Sequence, residues 1–232
     1  MNQPIFNPPN HQVVNPTDSA IVYVVDDDES MREAVRMLLR SVGFAVETFA
    51  SAEDFLAFEL PDLPACVIMD VRLKGQSGLV VQERLSAERS RLPIIFMTAH
   101  GDIEMSVRAM KAGAADFLTK PFRDQDLLDA VADALDTDRK RRMQDRSFDG
   151  LLRCYESLTP REREVMALVV KGLRNKQIAA EMSLSEITVK IHRNQAMKKM
   201  ESRSLAEFVL KAGVLGIDSA LAAPAQIKPA RR

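Results

Sequence analysis

Apolar and polar positions alternate along this chain in two different periods, and the change of period divides it. In the first part, short apolar runs each stop on a polar residue: Ile21-Val22-Tyr23-Val24-Val25 ahead of Asp26, Asp27 and Asp28, and Ala65-Cys66-Val67-Ile68-Met69 ahead of Asp70. Pro93-Ile94-Ile95-Phe96-Met97 stops at Thr98, and Asp116-Phe117-Leu118-Thr119 stops at Lys120-Pro121. Runs of this length, rich in β-branched residues, predict buried strands, and helix-length segments separate them. Alternation of that kind builds a parallel sheet whose strand carboxyl ends share one edge. The final helix of this part follows Pro121, with Leu127, Leu128, Val131 and Leu135 on one face.

Beyond residue 158 only helical periodicity remains. Thr159-Pro160-Arg161-Glu162 is a helix start, with a capping hydroxyl, proline at the first position and glutamate three residues after the cap. Val165, Leu168 and Val169 give that helix an apolar face, and Gly172 ends it. A second helix spans Asn175 to Met182, a tight connection follows at Ser183-Leu184-Ser185, and a third helix runs from Glu186 to about Met200. Two short helices joined by a turn, the second dense in Lys, Arg, Asn and His, predict a helix-turn-helix.

Between the two parts, charge thickens through Asp136-Thr137-Asp138-Arg139-Lys140-Arg141-Arg142. That predicts a solvated helical linker over 137–157, between one domain at 19–136 and a second at 158–216. Residues 1–18, with four prolines and four asparagines, and the Ala/Pro-rich 217–232 are expected to be loose tails. A formal net charge of −1 conceals an asymmetry. Residues 1–137 carry 12 Lys and Arg against 22 Asp and Glu, while 138–232 carry 20 against 11. An acidic half suits a metal site and a basic half a polyanion. No apolar run approaches membrane-spanning length, and the N-terminus lacks a basic stretch followed by an apolar core. Cys66 and Cys154 have no Cys or His at metal-ligand spacing. The expectation is a cytoplasmic chain with free thiols and no membrane partner.

The strand ends carry the chemistry. Asp26, Asp27 and Asp70 at one rim need a cation, and Mg²⁺ takes oxygen ligands while bridging carboxylate to phosphate. A carboxylate can itself be a phosphoryl acceptor. Asp70, alone at its strand end, is the expected acceptor, with Asp26 and Asp27 as a metal-holding pair. Thr98 and Lys120 are placed to hold phosphoryl oxygens.

Val25-Asp26-Asp27-Asp28, Val67-Ile68-Met69-Asp70-Val71-Arg72, Met97-Thr98-Ala99-His100-Gly101 and Phe117-Leu118-Thr119-Lys120-Pro121-Phe122 together resemble the receiver domain of two-component response regulators. That resemblance implies a flavodoxin-like, doubly wound, five-stranded parallel sheet, with phosphate arriving at Asp70 from a sensor histidine kinase. It implies that the main-chain carbonyl of Arg72 completes the Mg²⁺ site and that Phe117 joins Thr98 as a switch residue. Lys74 stands where the family usually has proline.

Leu158-Thr159-Pro160-Arg161-Glu162-Arg163-Glu164-Val165, Gly172-Leu173-Arg174-Asn175-Lys176-Gln177-Ile178-Ala179 and Thr188-Val189-Lys190-Ile191-His192 resemble the LuxR-type DNA-binding domain. The whole then resembles the FixJ branch of response regulators: a transcriptional regulator, not a turnover enzyme, with promoter DNA and RNA polymerase as partners. At about 100° per residue, Val189, Ala196 and Met200 face one side of the third helix, and Lys190, Ile191, Asn194 and Lys198 the other. The second set is expected to read bases through Lys190, Ile191 and Asn194. Lys176, Arg193, Lys198 and Lys199 are expected at phosphates. The resemblance further implies a dimer when phosphorylated, contacting through a last helix at about Ser204 to Ala212. A phosphatase of the haloacid dehalogenase kind also uses an aspartate and Mg²⁺, but as Asp-x-Asp after the first strand; here Val71 and Arg72 follow Asp70. A receiver that signals through protein or RNA contacts is the other alternative.

Overall fold

The computed structural model describes residues 20–75, 77–87, 91–99 and 103–217. The tail at 1–18, residues 218–232 and His100 lie outside them. Two compact units divide at Arg142 and Met143. In the first, strands β1 (Ile21–Val25), β2 (Ala45–Phe49), β3 (Ala65–Asp70), β4 (Ile94–Thr98) and β5 (Asp116–Thr119) alternate with helices α1 (Glu29–Ser41), α2 (Ala52–Ala57), α3 (Gly78–Ala87) and α4 (Ile103–Lys111), and the unit ends within α5 (Asp124–Glu156). The sheet is wholly parallel, in the order β2-β1-β3-β4-β5.

Each central strand is apolar on both sides because helices cover both faces. Val22 and Val24 of β1 pack with Val35 and Leu39 of α1 and with Leu127, Val131 and Leu135 of α5. Tyr23 and Val25 point the other way, among Phe55 of α2, Val81 and Leu85 of α3 and Ala109 of α4. β2 lacks an apolar run: of Ala45-Val46-Glu47-Thr48-Phe49 only Val46 is buried, as suits an edge.

Helix α5 departs from the expected linker. Asp138 is fully buried and belongs to the first unit. Its carboxylate accepts the Ala65 N–H at 3.0 Å and Arg142 Nε at 2.6 Å, and also pairs with Arg141. Arg142 reaches on to Asp62. Within what reads as a solvated charge run, Asp138 is therefore the buried centre of an ionic clasp on the start of β3. It moves the end of the first unit from 136 to 142.

In the second unit, α6 (Pro160–Val170), α7 (Asn175–Met182), α8 (Glu186–Lys199) and α9 (Leu205–Val214) enclose Val165, Met166, Ile178, Val189, Ala196, Met200, Phe208 and Ala212. Leu151, Cys154 and Tyr155 from the end of α5 pack on the same core, so the end of the expected linker is domain too. Local signals set the helix starts. Thr159 and Glu162 form a reciprocal capping box, and Ser185 and Ser204 cap α8 and α9. The α7–α8 turn takes Ser183 at φ +53°.

Candidate functional site

The parallel strands bring their polar ends together at the carboxyl edge. The neighbours of β1 are β2 on one side and β3 on the other, so the strand order reverses there, the place where open α/β sheets form their crevice. Asp26 follows β1 and Asp70 ends β3 across that crevice. Lys120, beyond β5, reaches in and donates to Asp26 Oδ2 and Asp70 Oδ2, both at 2.7 Å. The Lys120 N–H donates to the Thr98 carbonyl at 2.8 Å, which fixes the base of that side chain against β4.

Each carboxylate is held further. Asp26 is 1% exposed; its Oδ1 accepts the Asp28 N–H at 2.9 Å, and its carbonyl accepts Arg32 Nη1 at 2.6 Å. Burial pushes the Asp26 carboxyl above its ordinary pKa, the nearby Asp70 charge adds to this, and the hydrogen bonds from Lys120 and Asp28 only partly offset it. Burial works against the Lys120 ammonium, yet its two carboxylate partners outweigh that and hold its pKa above the usual lysine value. Asp70 keeps 13% of its side chain exposed, and its Oδ1 accepts the Arg72 N–H at 2.7 Å.

Asp27 is the exception to the expected convergence. Its Oδ2 lies 3.2 Å from Lys74 Nζ rather than with the other two acids. Among the described residues no three acid, His or Cys side chains gather closely enough to hold a metal ion. The donor chemistry nevertheless suits Mg²⁺, since Asp26, Asp27, Asp70 and the Arg72 carbonyl supply only oxygen. Asp28, the third acid of the run, is the N-cap of α1, accepting from Ser30 and Met31 N–H. Thr98 is fully buried at the end of β4, and Phe117 is half-buried against the core beneath α4. The Cys66 thiol, pushed by burial to about 12, is no nucleophile.

In the second unit, α8 presents the face its spacing predicts. Val189, Ala196 and Met200 are buried, whereas Lys190, Ile191, Asn194 and Lys198 are exposed. Ile187, one turn before Ile191, joins that stripe at 74% exposure; the same spacing could have found it. Two of the expected phosphate contacts are committed elsewhere. Lys199 donates to Glu162 Oε2 at 2.7 Å and to the Ser157 carbonyl at 3.1 Å, because Glu162 is buried and needs a counter-charge. Arg193 Nη1 donates to Asn175 Oδ1 at 2.9 Å, tying α8 to the start of α7. Lys176 stays exposed, and Arg174, missing from the sequence-based set, shares a cleft with it and Arg193.

Residues 22–132 match the response regulator receiver domain family, and residues 156–212 match the bacterial regulatory proteins of the luxR family. Nodulation protein W of Bradyrhizobium diazoefficiens is 54% identical over 200 residues, covering 86% of this chain and 88% of that protein. This chain is a response regulator. Transcriptional regulatory protein FixJ of the same organism is 40% identical, covering 86% of the regulator and 98% of FixJ. The solved structure of response regulator StyR aligns with a TM-score of 0.78 at 49% identity, covering 84% of the regulator and 98% of StyR. The doubly wound receiver fold and the helical domain stand as expected. A receiver joined to a LuxR-type DNA-binding domain makes the regulator a transcriptional regulator; the first domain implies a kinase partner and the second DNA binding. No described helix is long and apolar enough to cross a membrane.

One contributor to the site left no mark in the strand pattern. Gly78 opens α3 against the acceptor strand, and a Cβ there would sit 2.6 Å from the Asp70 carbonyl oxygen. Only glycine lets that helix approach so closely.

Proposed function

We propose that the regulator is switched on by a phosphoryl group that Asp70 accepts from a sensor histidine kinase. The carrying observation is Lys120 shared between Asp26 and Asp70 at 2.7 Å each, over the crevice at the sheet's carboxyl edge. Asp70 is the more reachable of the two acids, at 13% side-chain exposure against 1% for Asp26. Its carboxylate oxygen attacks phosphorus, the donor's phosphorus–nitrogen bond breaks, and an acyl phosphate forms on Asp70. Lys120 stays beside the new anionic oxygens. Asp26, Asp27, Asp70 and the Arg72 carbonyl would hold Mg²⁺, which would neutralise the charge that builds as phosphate approaches three acids. The chain acts on itself here, accepting and losing the group at Asp70 without turning over an outside substrate. Incubation with labelled acetyl phosphate and Mg²⁺ tests this: wild type should acquire a hydroxylamine-sensitive label and Asp70→Asn none. Undiminished label in the variant overturns the assignment.

Output passes through Thr98 and Phe117. A phosphoryl oxygen that draws the Thr98 hydroxyl toward it frees space beside β4 and β5, and Phe117 turns inward to fill it. Receiver surfaces remodelled by that turn favour a dimer, which phosphorylation stabilises only by binding the paired form better. Two copies of α8 then enter successive major grooves of an imperfect inverted repeat in a promoter. Lys190, Ile191 and Asn194 read base edges, with Lys176 and Lys198 at phosphates, and bound dimer engages RNA polymerase in the cytoplasm. Sedimentation with and without a beryllofluoride phosphate mimic should show a shift toward dimer; identical monomer fractions count against the switch.

A further inference from the structure

We propose that Lys74 is an intramolecular competitor for the Mg²⁺ site: its ammonium holds Asp27 away from Asp26 and Asp70 and must let go before the divalent ion is bound. The proposal rests on Asp26, Asp27 and Asp70 being the metal-holding acids. Their three carboxylates are divided between two ammonium groups in this structure. Lys120 takes Asp26 and Asp70 together, and Lys74 takes Asp27 alone at 3.2 Å.

The loop that carries Lys74 is built to bring it there. Gly75 adopts φ +95°, a left-handed turn that a side chain would resist. The Arg72–Ser77 bridge closes the loop just beyond Asp70, while the Asp70 Oδ1 holds the Arg72 N–H at its base. A flexible four-carbon stem then spans from that loop to Asp27, which follows β1.

The two ammonium groups differ in how firmly they hold. The Lys120 side chain is 14% exposed and makes two short bonds, so it is part of the site's permanent frame. The Lys74 side chain is 85% exposed and makes one long contact, the kind that water and salt weaken. It is therefore displaceable, and its effect on the metal has one sign. Binding Mg²⁺ at Asp27 breaks the ion pair, and the freed ammonium then stands near a divalent cation of like charge. Both effects oppose the metal, and neither exists if residue 74 is uncharged. Coulomb energies for exposed charges at these separations correspond to about three- to tenfold in Mg²⁺ affinity.

Calorimetric titration of MgCl₂ into the full-length protein at fixed ionic strength tests this on wild type, Lys74→Ala and Lys74→Arg. Lys74→Ala should bind Mg²⁺ about three- to tenfold more tightly, Lys74→Arg should match wild type, and the gap should narrow as KCl is raised. Equal or weaker Mg²⁺ binding by Lys74→Ala, or a gap indifferent to KCl, overturns the competition. Asp26→Asn, run alongside, separates the two levels of inference. Loss of Mg²⁺ binding in that variant supports the site, and unchanged binding removes the site and with it any role for Lys74. Because Lys74 is so exposed, its replacement leaves the core intact and the comparison interpretable.

Discussion

Replacing Asp138 with alanine should cost the receiver domain about 3 kcal/mol, the lower end of the range for breaking a buried ion pair. The carboxylate is fully buried, and three groups depend on it: the Ala65 N–H, Arg141 and Arg142. Alanine would leave the N–H without an acceptor and take from Arg141 and Arg142 the buried carboxylate they share, Arg142 keeping its pair with Asp62. Both arginine side chains keep a fringe of solvent, 27% and 20% exposed, so part of their charge rehydrates and the upper end of the range is not reached. A solvated linker pair would be worth at most about 1 kcal/mol, so the two pictures separate cleanly. Urea unfolding followed by circular dichroism measures the difference, taken on the receiver transition because the chain has two units. The pH dependence sharpens the test. Burial would raise the Asp138 carboxyl, but Arg141, Arg142 and the Ala65 N–H outweigh it and hold it below the ordinary value. A depressed native pKa means that the stabilisation is complete above the unfolded value of about 3.9 and is lost as pH falls through the native value. The gap between wild type and Asp138→Ala should thus be level from pH 7 to about 5 and close on further acidification. A variant within about 0.5 kcal/mol of wild type at pH 7, the range of ordinary surface substitutions, would falsify the clasp, as would a gap that widens in acid.

Other consequences follow from single contacts. Gly78→Ala should destabilise the receiver by about 1–3 kcal/mol, since its Cβ overlaps the Asp70 carbonyl, and thermal melting would register it. Lys199→Ala should strip the buried Glu162 of its counter-charge, lowering helical-domain stability by about 1–3 kcal/mol while leaving the salt slope of DNA binding unchanged. A slope that drops by about one would restore Lys199 to the phosphate set. Asn194→Ala should lose about 1–3 kcal/mol on a cognate repeat and little on scrambled DNA, read by titration of both. Lys198→Ala should weaken both alike and lower the salt slope by about one.

What the sequence made legible, and what it hid, follow from how far each interaction reaches along the chain. β1, β3 and β4 announce themselves because both faces are covered, leaving continuous apolar runs. β2 does not, because an edge strand with one buried residue carries little apolar signal. Thr159, Ser185 and Ser204 bond within three or four residues of themselves, so the helices they cap could be placed closely. Asp138 bonds to Ala65, 73 residues away, and Lys199 to Glu162, 37 away. Such partners are invisible to any window: Asp138, read as part of a solvated run, is a buried counter-ion, and Lys199, read as a phosphate contact, is the counter-charge of buried Glu162. The same logic divides the acids at the rim. Topology assembles Asp26, Asp70 and Lys120 across separations of 50 and 94 residues, and strand-end reasoning captures that because a parallel sheet aligns its ends. Which ammonium each carboxylate then takes is a matter of loop geometry. Lys74, the residue that breaks the family pattern, is the one that draws Asp27 aside. A departure from a motif is thus informative in proportion to the charge it introduces: a lost proline alone would loosen a loop, whereas a gained ammonium acts on the nearest carboxylate.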